Sequence, residues 1–160
     1  MRKRTTSLIV FILGAAVLCL PMALGSPEVS SIASNDPDTI ELGGRIFQKN
    51  CSPCHGSGAV GESPASPMGG WASGKGELAP ALNGTGHAWH HEPAYFFRTI
   101  RKGSTAKYQM GNTVINSKMK GWAGRMSDYE MLAVIAYFQS LWPAHIKEGY
   151  RQRFLYRVWP

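Results

Sequence analysis

The chain has 160 residues, 44% of them hydrophobic, with seventeen basic and ten acidic side chains and a formal charge of +7. That length holds one domain with a real core. The positive excess is too small and too scattered to mark a nucleic-acid surface, and it suits docking to an acidic partner.

Residues 1–25 read as an export signal. Arg2, Lys3 and Arg4 form a positive start, Ser7 to Leu20 a short apolar run, and Ala23-Leu24-Gly25 a small-residue cleavage context. The apolar run is shorter than the roughly 20 residues a membrane span needs. An uncleaved anchor is the alternative. Lipidation at Cys19 is disfavoured, because Leu18 stands where a small residue is wanted. Removing residues 1–25 takes away three positive charges and no negative one, which leaves +4. Ser26 to Asp38, rich in Ser, Pro and Asp, reads as a flexible leader.

Thr39 to Asn50 places Ile40, Gly43, Gly44, Ile46 and Phe47 at helical spacing, with Asp38 or Thr39 available as a cap. Cys51-Ser52-Pro53-Cys54-His55 follows at once. C-x-x-C-H is the pattern for covalent attachment of a c-type haem. Two thiols three positions apart can each form a thioether with one vinyl group of a porphyrin, and the next residue offers an imidazole to the iron. Three other readings compete. A thioredoxin-type dithiol needs the pair between a buried strand and a helix, whereas the upstream segment here reads as a helix. A structural zinc site needs four ligands, and no second C-x-x-C or H-x₃₋₅-H pair follows. A plain disulfide between such close cysteines is strained and leaves His55 unexplained. With Cys19 in the leader run, no cysteine is spare for a structural bridge.

Gly56 to Gly76 is glycine-rich, lacks apolar periodicity and reads as a long loop; a solvated insertion is favoured over a shield for a haem edge or a partner contact. Glu77 to Gly86 carries Pro80 and Leu82 in a turn. His87, His90 and His91 form a conspicuous cluster. Adjacent imidazoles point apart, so a polar loop is favoured over a metal site. Glu92 to Lys102 reads as a helix, with Pro93 in its first turn, Tyr95, Phe96, Phe97 and Ile100 as its apolar members and Gly103 at its end. Arg98, Arg101 and Lys102 on it could pair with haem propionates, but the favoured reading is that most are solvated and one at most touches a propionate. Thr105 to Gly124 reads as irregular, and no strand is expected anywhere. Met126 to Trp142 is the clearest helix. Ser127 and Glu130 form a capping box, Met131, Val134, Ile135, Phe138 and Leu141 an apolar face, and Pro143 stops it. Residues 144–160 form a basic, aromatic tail, either a docking element for a membrane surface or larger complex, or a helical extension packed on the domain.

A haem iron held by His55 has a second axial position. Met68, Met110, Met119, Met126 and the histidine cluster are all candidates. Met126 and Met131 belong to the last helix and suit the core, while Met110 and Met119 lie in the irregular stretch.

From Ile40 to Trp142 the chain resembles the class I cytochrome c family in the order of its parts. Gly44 and Phe47 stand where the first helix crosses the last. The haem motif follows, then the Pro80–Leu82 turn behind the proximal histidine. Met119 precedes Ser127-Asp128 by the family's interval, and Tyr137 stands opposite Gly44. In place of the proline common after the axial methionine, this chain has Lys120. The resemblance implies an all-α cytochrome c fold over residues 39–143: three to five helices around one covalent haem c, anchored by Cys51 and Cys54 and ligated by His55 and Met119. It also implies an apolar shell from Phe47, Leu82, Phe96, Ile100 and Trp122. The function expected is one-electron transfer in the periplasm between redox protein partners, without substrate turnover. The rival readings are a haem enzyme or ligand-binding protein with an open distal site, and the cytochrome subunit of a larger dehydrogenase or oxidase.

Overall fold

The computed structural model describes residues 35–72, 76–105, 107–110 and 112–154. Residues 1–25, read above as an export signal, most of residues 26–38 and the last six residues lie outside the described residues.

Helix α1 spans Pro37–Asn50. It starts two residues earlier than the apolar spacing suggests. Asp36, rather than Asp38 or Thr39, is its cap: the carboxylate accepts from the backbone N–H of Thr39 at 3.0 Å, and Pro37 fills the first turn. The short helix α2, Ser52–His55, is the haem motif itself. Cys51 sits at the joint, its N–H still bonded to the Phe47 carbonyl at 2.8 Å while its own carbonyl accepts from His55 at 2.8 Å.

Two short antiparallel hairpins occupy stretches that read as irregular. Strands β1, Gly70–Ala72, and β2, Gly76–Leu78, pair with Trp71 opposite Glu77. After helix α3, Pro93–Lys102, strands β3, Lys107–Met110, and β4, Thr113–Asn116, pair with Lys107 opposite Asn116. Strands of three or four residues are too short to show alternation. Even so, the Thr113-Val114-Ile115 run carries a β-branched preference that an irregular reading passes over.

Helix α4 covers Asp128–Ser140, and its capping box is complete: Ser127 Oγ accepts from the Glu130 N–H at 3.2 Å and Glu130 accepts from the Ser127 N–H at 2.8 Å. Met131, Val134, Ile135 and Phe138 are buried as their spacing predicts. Leu141 is not, being 37% exposed, and Trp142 takes the buried position beyond the helix end. Helix α5, Ala144–Phe154, shows the tail up to Phe154 to be a packed extension. Tyr150 is buried, with its ring 5.0 Å from Trp142 and 4.8 Å from Phe154.

Helices α1 and α4 cross at the glycines. A β-carbon on Gly43 would collide with the Ala133 carbonyl, and one on Gly44 would sit 3.1 Å from the Tyr137 ring. Phe47, fully buried, continues the seam, its ring 5.3 Å from that of Tyr137. Phe96 meets Phe138 edge to face at 5.2 Å and ties α3 to α4. Each such side chain contributes roughly 1.5–3 kcal/mol of apolar burial. The helices thus form the body of the domain, and the hairpins hang on its loops. No described helix is long and apolar enough to cross a membrane.

Candidate functional site

Helix α2 sets the geometry of the haem motif. Cys51 and Cys54 are one turn apart and share a face, and Pro53 is tolerated because it falls in the first turn. Cys51 is half-buried and Cys54 exposed. Burial, followed by the neighbouring Cys54, pushes the Cys51 thiol up to about 11. Redox-active dithiols rely on a depressed thiol pKa. Cys51 has the opposite character, and the pair follows a helix rather than a strand.

His55 is 8% exposed. Its Nδ1 lies 2.8 Å from the carbonyl oxygen of Pro80. A carbonyl can only accept, so Nδ1 carries the proton and Nε2 keeps its lone pair free for a metal. Burial lowers the His55 pKa, against the opposing pull of the Pro80 bond and of the Glu62 and Glu77 carboxylates. The neutral imidazole is therefore favoured, which is the form that binds iron.

The Pro80 carbonyl is itself fixed. The Leu82 N–H donates to the Ala59 carbonyl at 2.8 Å, the Ala79 N–H donates to Glu62 Oε2 at 3.0 Å, and Trp142 Nε1 donates to the Leu82 carbonyl at 2.7 Å. The end of α4 thus clamps the turn that orients His55. The proline–leucine turn foreseen in the sequence takes the place expected of it.

A cavity of about 440 Å³ opens in front of His55. Cys51, Cys54, His55 and Met119 all lie on its wall, although 64 positions separate His55 from Met119. Phe47, Leu82, Phe96, Ile100 and Trp122 line it as anticipated, joined by Val134 and Phe138 from α4. Met68 borders the cavity but is 58% exposed, and Met126 and Met131 are buried in the core. A mostly apolar slot with a thiol pair, an oriented imidazole and a thioether on its wall fits a covalently attached haem.

The propionate candidates do not reach this cavity. Arg98 pairs with Glu92 at 3.1 Å and Arg101 with Asp128 at 2.5 Å, both at the surface, and Lys102 is exposed. The histidine cluster divides. His87 and His91 line the cavity, half-buried, with ring centroids 5.3 Å apart, while His90 is exposed. The loop reading thus holds for His90 and misses the other two. Their i, i+4 spacing around a 3₁₀ turn was the available signal. Glu62 and Glu77 were also missed, since each lies in a stretch that read as loop or turn.

These features define a small helical domain built around a cavity for covalently bound haem. The cytochrome c family model matches residues 40–142, and the chain belongs to the cytochrome c family. A relative at lower identity is the cbb3-type cytochrome c oxidase subunit FixP of Sinorhizobium medicae, 27% identical over 135 residues. The match takes in 82% of this chain and 39% of that protein, so the chain spans well under half of its relative's length.

Proposed function

We propose that this chain is an exported single-haem electron carrier with His55 and Met119 as the axial pair. The observation that carries the reading is the convergence of Cys51, Cys54, His55 and Met119 on one apolar cavity. Haem supplies a one-electron ferric/ferrous couple when bound. The chain's own residues do the rest. Cys51 and Cys54 anchor the vinyl edge as thioethers. The Pro80 carbonyl accepts from Nδ1 of His55 and leaves Nε2 free, so that His55 would hold the iron through Nε2. Met119 offers a thioether from the opposite segment, a ligand that favours the ferrous state and raises the potential. Phe47, Phe96, Ile100 and Trp122 keep water from the site. With both axial positions filled by protein, no substrate is transformed. Residues 1–25 direct export to the periplasm, as a cleaved signal or a retained anchor, and the positive balance of the remainder suits acidic docking surfaces on redox partners.

A second reading is favoured by the FixP relative, which is named as an oxidase subunit. On that reading the chain delivers electrons within a larger oxidase assembly, and stable co-purification with such a complex is its mark.

The deciding experiment compares visible spectra of purified wild type and Met119→Ala. Axial methionine sulfur gives ferric haem a weak far-red band. The band is expected in wild type and absent from the variant, with slow carbon monoxide binding to reduced wild type. Rapid carbon monoxide binding by wild type would replace the carrier reading with an open-site haem protein.

A further inference from the structure

Met119 lies in the connection between β4 and α4, outside any helix or strand, and is followed by Lys120 instead of a residue with a fixed φ. Its position therefore depends on what holds the connection. On the C-terminal side the chain is bonded to the end of α3. The Ser104 N–H donates to the Met119 carbonyl at 3.1 Å, the Trp122 N–H to the Ile100 carbonyl at 2.9 Å and the Ala123 N–H to the Arg101 carbonyl at 3.0 Å.

The N-terminal side is held differently, by one carboxylate from the other hairpin. Ser117 Oγ donates to Glu77 Oε1 at 2.7 Å and accepts from the Met119 N–H at 3.2 Å, and the Lys118 N–H donates to Glu77 Oε2. Glu77 stands on β2, opposite Trp71 of β1, and lines the same cavity as Met119. One carboxyl side chain thus gathers the two residues preceding the thioether, and Ser117 relays the hold to the Met119 amide. Bonds to a charged acceptor are the stronger class. Glu77 is itself held in the β1–β2 ladder, where Trp71 is its partner.

We propose that Glu77, acting through Ser117, is the positioning residue that fixes the Met119 sulfur at the distal side of the site. The inference rests on the reading of Met119 as the distal ligand. The β1–β2 hairpin then supplies, from outside the Met119 segment, the stiffness that the backbone at Lys120 lacks.

The test uses the full-length haem-loaded protein and five variants: Met119→Ala, Glu77→Ala, Glu77→Gln, Ser117→Ala and Ser117→Thr. Haem content and far-UV circular dichroism verify folding. The readouts are the urea concentration at which the ferric far-red band disappears and the rate of carbon monoxide binding to the reduced form. Glu77→Ala and Ser117→Ala are expected to lose the band at lower urea than is needed for unfolding, and to bind carbon monoxide on the order of tenfold faster, the equivalent of one hydrogen bond to a charged acceptor. Ser117→Ala changes no charge, so its effect reports position alone. Ser117→Thr, which keeps the hydroxyl, is expected to behave as wild type, and Glu77→Gln, which keeps one acceptor oxygen, to fall between. Loss of the far-red band at wild-type urea, with wild-type carbon monoxide rates in folded Glu77→Ala and Ser117→Ala, overturns the clamp alone. A band that survives Met119→Ala, or is missing from wild type, overturns the ligand reading and the clamp with it.

Discussion

Gly43 of α1 lies directly against the Ala133 carbonyl of α4, with no room between them for a β-carbon. Backbone thus meets backbone where the helices that frame the haem cavity cross, and neither side can give way by changing a rotamer. Gly44, one residue on, faces the ring of Tyr137 at 3.1 Å, a side chain that can shift. Alanine at either site gains about 1 kcal/mol of helix propensity. At Gly43 that gain is outweighed by overpacking, typically about 1–3 kcal/mol and more where only backbone can move. Gly43→Ala is therefore expected to lower the urea midpoint of the holoprotein clearly, and Gly44→Ala to change it little. Equal midpoints for the two variants would contradict this account of the crossing.

Trp142 couples the far end of α4 to the proximal side of the site. Its indole donates to the Leu82 carbonyl at 2.7 Å, two residues beyond the carbonyl that orients His55, and its ring is buried between α3, α4 and α5. Trp142→Phe keeps most of the packing but leaves a partly buried carbonyl without its indole donor, at a cost of about 1 kcal/mol. We expect a lower unfolding midpoint together with a changed ferric spectrum, because the loosened turn carries the Pro80 acceptor. A stability loss with an unaltered spectrum would show that α4 supports the core without holding the turn.

Much of the frame was legible because its signals are local. The Ser127–Glu130 box, Pro93 at the start of α3, Gly103 at its end and the five-residue haem motif each declare themselves within a few positions. The Gly44–Tyr137 contact and the Met119 placement were accessible only through family order, since they depend on segments far apart in the chain. What escaped was of two kinds. The hairpins are held by pairings of three or four residues, too short for a periodic pattern. Glu62 and Glu77 carry no motif, and the i, i+4 spacing of His87 and His91 was outweighed by the loop character of their segment. They become site residues only when the turns around them bring them to the cavity.

Glu62 and Glu77 both border the cavity, and both favour positive charge at the position of His55. At a haem iron held by His55 the same field would stabilise the ferric over the ferrous state and hold the potential down. Glu62→Gln is the cleaner test, since the amide oxygen can still accept from the Ala79 N–H that Glu62 binds at 3.0 Å. Removing the charge is expected to raise the reduction potential by roughly 40–60 mV, corresponding to about 1 kcal/mol of screened Coulomb energy for a one-electron couple. Redox titration reads it directly. An unchanged or lower potential would mean that solvent screens the carboxylate from the iron.

Acid sensitivity follows from the helix caps. Hydrogen bonds from the Ser127 backbone and then its hydroxyl hold Glu130 below its ordinary 4.5, and the Thr39 hydroxyl and then its backbone N–H hold Asp36 below 3.8. A depressed carboxyl binds fewer protons folded than unfolded. Its contribution is therefore complete above the unfolded value and disappears as pH falls through the lower folded one. Urea midpoints are expected to be flat near neutrality and to decline from about pH 5 downward. Glu130→Gln should start lower at pH 7, show a shallower decline and converge with wild type at the acid end. Ser127→Ala, which removes the cap itself, is expected to cost about 1 kcal/mol at pH 7. If Glu130→Gln kept the wild-type slope through this window, the acid response would have to come from groups other than the α4 cap.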